Sequence, residues 1–186
     1  MFERISLRVA SGLLLATVAL LTACEPDECD VNFAYEANVG GVANLFAYVW
    51  RYPTTDCSLT TGLGTGGSSF GGTTISYVNG DQSLTIALPV GGLQEGAHVV
   101  QIIYMDDDRR TWSSTTGGLP GEVASGCVAA LETVESVDWM IDDHMRISGV
   151  VQCAGPLIRV AQLGSSELLR FSELRFNIYS SSFGLI

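Results

Sequence analysis

Thr73-Thr74-Ile75-Ser76-Tyr77-Val78-Asn79-Gly80-Asp81-Gln82-Ser83-Leu84-Thr85-Ile86-Ala87-Leu88 decides the fold class. Apolar residues alternate with small polar ones on both sides of an Asn-Gly pair. A period of two puts Ile75, Tyr77, Leu84 and Ile86 on one face of a strand pair, with the polar residues on the other. Asn79-Gly80 between two such runs is the strongest short hairpin signal, because both central positions of a type I′ turn need positive φ. The stretch therefore predicts an antiparallel hairpin with one buried face.

The same reading extends in both directions. Residues 31–38 and 42–52 are rich in aromatic and β-branched side chains and flank Gly40-Gly41. Residues 97–105 form a further apolar run that ends in Asp106-Asp107-Asp108, a polar turn, before a strand over 110–114. Leu119-Pro120-Gly121 is a break. Residues 127–134 and 145–153 read as a strand pair, and Leu174, Phe176 and Ile178 alternate in a last strand. Two segments also fit helical spacing: Val128, Leu131, Val134 and Val137, and Leu168 with Phe171. The first is assigned to strand, and the second could be one helical turn. The Gly/Ser/Thr-rich residues 60–74 are expected to be a surface loop. About eight short strands at this spacing predict an all-β chain, an antiparallel β-sandwich of the jelly-roll or immunoglobulin-like kind.

The first two dozen residues follow a different logic. Arg4 and Arg8 precede Leu13-Leu14-Leu15-Ala16-Thr17-Val18-Ala19-Leu20-Leu21. This apolar run is too short for the roughly 20 residues of a membrane-spanning helix and suits the core of a cleaved signal helix. It ends in Leu21-Thr22-Ala23-Cys24, which resembles the lipobox of bacterial lipoprotein precursors. The resemblance covers residues 1–24 only. It implies that the Cys24 thiolate takes a diacylglyceryl group, that cleavage follows Ala23, and that Cys24 becomes the first residue of the mature protein. It further implies a lipid anchor in the cell envelope. Glu25 in place of the aspartate typical of inner-membrane retention favours the outer membrane of a Gram-negative cell. The expected organisation is a leader over 1–23, the lipidated cysteine with a short acidic tether over 24–30, and one domain over 31–186. Five extended steps separate Cys24 from Cys29, so the domain would start within ~17 Å of the anchor.

An envelope address makes the remaining cysteines a disulfide framework. Cys29, Cys57, Cys127 and Cys153 allow three pairings. If 127–134 and 145–153 pair antiparallel around 135–144, Cys127 faces Cys153, which leaves Cys29 with Cys57. A turn at Gly40-Gly41 does not place the latter two opposite each other, so that pair needs a bulge or a bridge between sheets. Each loop closed contributes about 3 kcal/mol in the chain-entropy model. With no C-x-x-C pair, a zinc site is not expected.

Charge and motifs exclude more than they include. After the leader, seven arginines against 19 acidic residues leave a formal net charge of −12, and the chain has no lysine. Such a surface repels nucleic acid and anionic headgroups. Gly62-Leu63-Gly64-Thr65-Gly66-Gly67 satisfies G-x-G-x-x-G, but a dinucleotide site needs a helix after the glycines and a hairpin follows here. Gly67-Ser68-Ser69-Phe70-Gly71 satisfies G-x-S-x-G, yet the strand-turn-helix of a nucleophile elbow is missing. Asp106–108 and Asp142-Asp143 lack the spacing of a calcium loop and read as solvated turns. His98 and His144 have no partner at metal-ligand spacing. No cofactor, nucleotide or metal is implied.

One constellation points to recognition. Phe46, Tyr48, Trp50 and Tyr52 share one face of a strand at ~6.6 Å intervals, and Leu45, Ala47 and Val49 occupy the other. Both faces are apolar, so one packs inward and the other is covered or exposed. An exposed Tyr48-Trp50-Tyr52 platform would suit sugar rings. The expectation is a lipid-anchored envelope protein with a non-catalytic binding or structural domain, its partners the membrane through the anchor and a glycan or another envelope protein. A hydrolase of envelope polymers or esters using Ser69 or the loop acids is the alternative, and a carbohydrate-binding module using the aromatic strand is the second.

Overall fold

The computed structural model describes residues 29–62, 72–89, 93–114, 126–138, 143–160 and 167–180. The leader, Cys24, Ser69 and Asp142 lie outside them. The described residues form eleven strands and no helix: β1 (Cys29–Val39), β2 (Val42–Arg51), β3 (Asp56–Gly62), β4 (Gly72–Asn79), β5 (Gln82–Ala87), β6 (Gly96–Met105), β7 (Thr111–Ser113), β8 (Cys127–Asp138), β9 (Asp143–Cys153), β10 (Leu157–Arg159) and β11 (Leu168–Ser180). Every pairing is antiparallel. The class is therefore the all-β antiparallel sandwich that the alternation predicts.

The pairings trace two layers, β2-β1-β11-β9-β8 and β3-β4-β5-β6-β7. They are joined at two corners. The first half of β6 pairs with β8, and β10 bridges β7 and the start of β11. The circuit β11-β9-β8-β6-β7-β10 thus closes on itself, leaving β2 and β3 as the ends of the strand order. Contacts between strands that are not neighbours show the layers facing each other. The Tyr77 hydroxyl on β4 donates to the Asn177 carbonyl on β11 at 3.0 Å, and Tyr35 on β1 meets Tyr104 on β6.

Turn chemistry sets the local registers, with one departure from the expected turn. Gly40 and Gly41 have φ of 63° and 82°, as a type I′ turn between β1 and β2 requires. In the β4–β5 hairpin the turn residues are Gly80 and Asp81, not Asn79 and Gly80; Asn79 pairs with Gln82 and Gly80 alone has positive φ. Burial explains the slip. In this register Ile75 faces Ile86 and Tyr77 faces Leu84, all four fully buried. A turn centred on Asn79-Gly80 would set Tyr77 against Gln82, and register follows the buried face.

Both segments with helical spacing are bulged strands. The β1–β11 register shifts so that Ala34 pairs with Glu173 and Tyr35 with Phe171, leaving Ser172 extra. Leu169 and Phe171 before the bulge and Leu174, Phe176 and Ile178 after it all point into the core. On β8, Glu132 is extra, and Leu131 and Val134 fall on one side for the same reason. One inserted residue converts an i, i+2 pattern into i, i+3. The expected loop over 60–74 is strand at both ends, since Thr60, Thr61 and Gly62 pair with Thr74, Thr73 and Gly72.

Two disulfides staple the sandwich. Cys127 and Cys153 are cross-strand partners on β8 and β9, with Cα atoms 4.0 Å apart. Cys29 on β1 bonds Cys57 on β3 across 6.4 Å between Cα atoms. That bond joins the two layers, the bridge between sheets that the Gly40-Gly41 turn demands.

Candidate functional site

The strand β2 carries the residues that sequence singles out, and its place in the fold decides what they can do. Among the described residues it pairs only with β1, in a continuous register from Val39–Val42 to Asp30–Arg51. Its even-numbered side chains point toward the second layer and grade from exposed to sealed. Phe46 is 36% exposed, Tyr48 is half-buried and Trp50 is 2% exposed. Trp50 meets Phe33 edge to face at 4.8 Å between centroids. Tyr52 lies past the strand, 51% exposed, in a cis peptide with Pro53. Tyr48, Trp50 and Tyr52 therefore do not present one solvent-exposed platform, because Trp50 belongs to the core.

Beneath this ladder lies a cluster that strand-by-strand reading does not assemble. Tyr35 stacks on Phe46 at 5.0 Å, and Phe46 on Tyr48 at 6.4 Å. Phe33, Tyr104 and Phe171 close the cluster from β1, β6 and β11. The Tyr35 and Tyr104 hydroxyls share a hydrogen bond at 3.2 Å, with Tyr48 nearby. Burial pushes both phenols far above their ordinary range; their shared bond adds to the effect at Tyr35 and works against it at Tyr104, where Tyr48, Asp106 and Asp107 add to it. These hydroxyls stay protonated and serve as hydrogen-bonding groups, not as bases. Tyr35 and Tyr104 meet across the two layers, 69 residues apart.

The opposite face of β2 is also apolar, and it is open. Leu45 is 76% exposed and Val49 59%, with Ala43 and Ala47 exposed between and beside them. This row, unlike the aromatic one, is available along its whole length.

The remaining candidates scatter. Asp106 is not a solvated turn residue: its carboxylate is buried, accepts from the Asp108 and Arg110 amides at 3.1 and 2.9 Å, and pairs with Arg110 Nε at 2.7 Å. Asp108 also holds Arg110, and Asp81 holds Arg109 at 3.3 Å. Burial alone would lower the Arg110 guanidinium, but Asp106 and Asp108 reverse this and hold it above its ordinary range. His98 Nε2 donates to the Gln94 carbonyl at 2.7 Å, and the His144 side chain lies outside the described residues. Among the described residues no three His, Cys, Asp or Glu side chains are placed to hold a metal ion. No protein-family model, curated protein or solved structure matches the chain.

Proposed function

We propose that this chain is a lipid-anchored protein of a bacterial envelope, of the outer membrane in a Gram-negative cell, whose sandwich acts as a binding or structural module. The observation that carries the binding role is β2: a ten-residue strand, apolar on both faces, unpaired among the described residues along one side of its backbone and exposed on its outer face. Exposed apolar surface of this kind on a folded domain marks contact with another molecule. The address rests on Leu21-Thr22-Ala23-Cys24 and on two disulfides, which persist in oxidising compartments. Cys29, which opens β1 and is tied to Cys57, stands five residues after the anchor point.

Fatty-acid labelling and mass analysis of the full-length product test the address. Lipid is expected on Cys24, with the leader removed, and Cys24→Ser should abolish labelling and release the domain from the membrane fraction. An unmodified Cys24 in the wild type overturns the anchor. A glycan screen tests the sugar form of the binding role. Phe46, Tyr48 and Tyr52 are the rings with open surface, so Tyr52→Ala is the informative control. Trp50→Ala would perturb the core instead.

A further inference from the structure

We infer that β2 is a self-association edge: two copies of this chain pair their β2 strands antiparallel about a two-fold axis at Phe46. The argument starts from backbone parity. Tyr52 N–H donates to the Cys29 carbonyl at 3.0 Å, which continues the β1–β2 register. In an antiparallel ladder, residues that bond the neighbour alternate with residues that point away from it. The even residues of β2 are therefore spent on β1. The N–H and C=O groups of Ala43, Leu45, Ala47 and Val49 point outward, where no described strand meets them.

A two-fold axis at Phe46 pairs these four residues entirely with one another. Ala43 faces Val49 of the second copy, and Leu45 faces Ala47. Each such pair exchanges two bonds, so the edge would gain eight. The outer apolar row then runs on across the junction, Leu45 against Ala47 and Ala43 against Val49. The Phe46 rings meet at the axis.

The strand suits a copy of itself, because the two-fold register sets no charge of one copy against its like in the other. The domain carries a strongly acidic surface, yet Val42 through Trp50 holds no charged residue. The register sets no like charges opposite, and Arg51 falls opposite Gly41. β2 also lacks the usual guards of an edge, which are lysine, proline, bulges and inward charges. The other end of the strand order is different. β3 has seven residues, is mostly Asp, Ser and Thr with a glycine at its end, and is tied down by Cys57.

The contact is modest in size. Nine residues span about 30 Å, and a layer is about 10 Å deep. That gives roughly 600 Å² over both copies, against about 1,200 Å² for the smallest standard interfaces. The pair is therefore weak and concentration-dependent in solution. Confinement of anchored copies to one membrane, which rests on the function proposed above, raises their effective concentration.

A cysteine scan over positions 43–49 of the full-length chain, with crosslinked peptides identified by mass analysis, tests the register. Phe46→Cys should give the strongest single-residue crosslink, because only residue 46 faces its own copy. Leu45→Cys with Ala47→Cys should crosslink through the exposed face, which covers the case in which Phe46→Cys does not fold. Adding Leu45→Lys to Phe46→Cys should reduce the product at least about tenfold, a loss of ~1.4 kcal/mol or more. Crosslinking no stronger than that of Arg170→Cys on β11, or a maximum at another position, overturns the inference. The scan reads self-pairing whether or not Cys24 carries lipid, so its failure is separate from failure of the anchor.

Discussion

Replacing Asp106 by alanine should cost about 3–4 kcal/mol, although no rule of surface turns would suggest it. The carboxylate accepts from the Asp108 amide at 3.1 Å, the Arg110 amide at 2.9 Å, Arg110 Nε at 2.7 Å and Trp112 Nε1 at 3.4 Å. The two amides sit in a turn that water can reach, so their loss is largely recovered by solvation. Trp112 is fully buried, and stranding its indole N–H costs ~1–3 kcal/mol. Arg110 is three-quarters covered and loses a charge-assisted bond worth ~1.5–3 kcal/mol, partly offset because Asp108 still holds it. Asp106→Asn keeps the size and an acceptor for the amides, so it should cost about half as much. Urea unfolding with an unchanged slope is the assay, and the alanine variant should melt about 10 °C lower. Tyr104 pairs with Trp112 across the β6–β7 ladder, so near-ultraviolet circular dichroism should weaken in the same variant. A cost below about 1 kcal/mol for Asp106→Ala would refute the reasoning, since it would mean the buried carboxylate's partners are equally satisfied without it.

Two other outcomes follow from the core and its staples. Removing the Cys127–Cys153 bond with a double alanine substitution should cost about 3.5 kcal/mol, from a 26-residue separation in the chain-entropy model, read by urea unfolding under oxidising conditions. Tyr35, Tyr77 and Tyr104 have hydroxyls raised chiefly by burial. The folded state therefore keeps protons that the unfolded chain loses near pH 10. Their contribution to stability is intact below pH 10 and falls above it, by up to about 1.4 kcal/mol per pH unit for each. In difference absorbance these three of the six tyrosines should ionise only as the protein unfolds.

Period-two alternation was enough to read the class, the β1–β2 and β4–β5 hairpins and the β8–β9 pair, because those faces are half-buried and regular. What it misplaced has physical causes. At Glu132 a single extra residue advances the chain without advancing the pattern, and the result imitates a helix; Leu168 and Phe171, both before the Ser172 bulge, lie on opposite faces of the strand, one exposed and one buried. Nothing local distinguishes a bulged strand from a helix, since the partner strand decides it, and that strand lies 138 residues away in the case of Ser172 and Ala34. The turn at Gly80-Asp81 was missed by one residue because Asn-Gly chemistry competed with the pairing of four buried side chains, and the core won. Asp106 was illegible for the opposite reason. Its neighbours Asp107 and Asp108 are the exposed residues that their sequence suggests, and only the folded turn aims four donors at the first of the three.

The candidate site was half legible. That β2 is apolar on both faces is plain from Phe46, Tyr48 and Trp50 against Leu45, Ala47 and Val49. Which face is covered depends on how far the second layer reaches, and that is a property of distant strands. Phe33 covers Trp50 edge to face, whereas Phe46 at the other end is stacked on Tyr35 and Tyr48 and left 36% exposed, so the inner row changes from core to surface within five residues. The outer row meets no second layer among the described residues. The net negative charge opposes association of copies as a whole, but the β2 edge adds no like charges of its own, and a chain without lysine lacks the commonest guard for such an edge. Among the described residues, the exposed outer row and the uncharged, unpaired edge together make β2 a strand along which close approach meets little opposition.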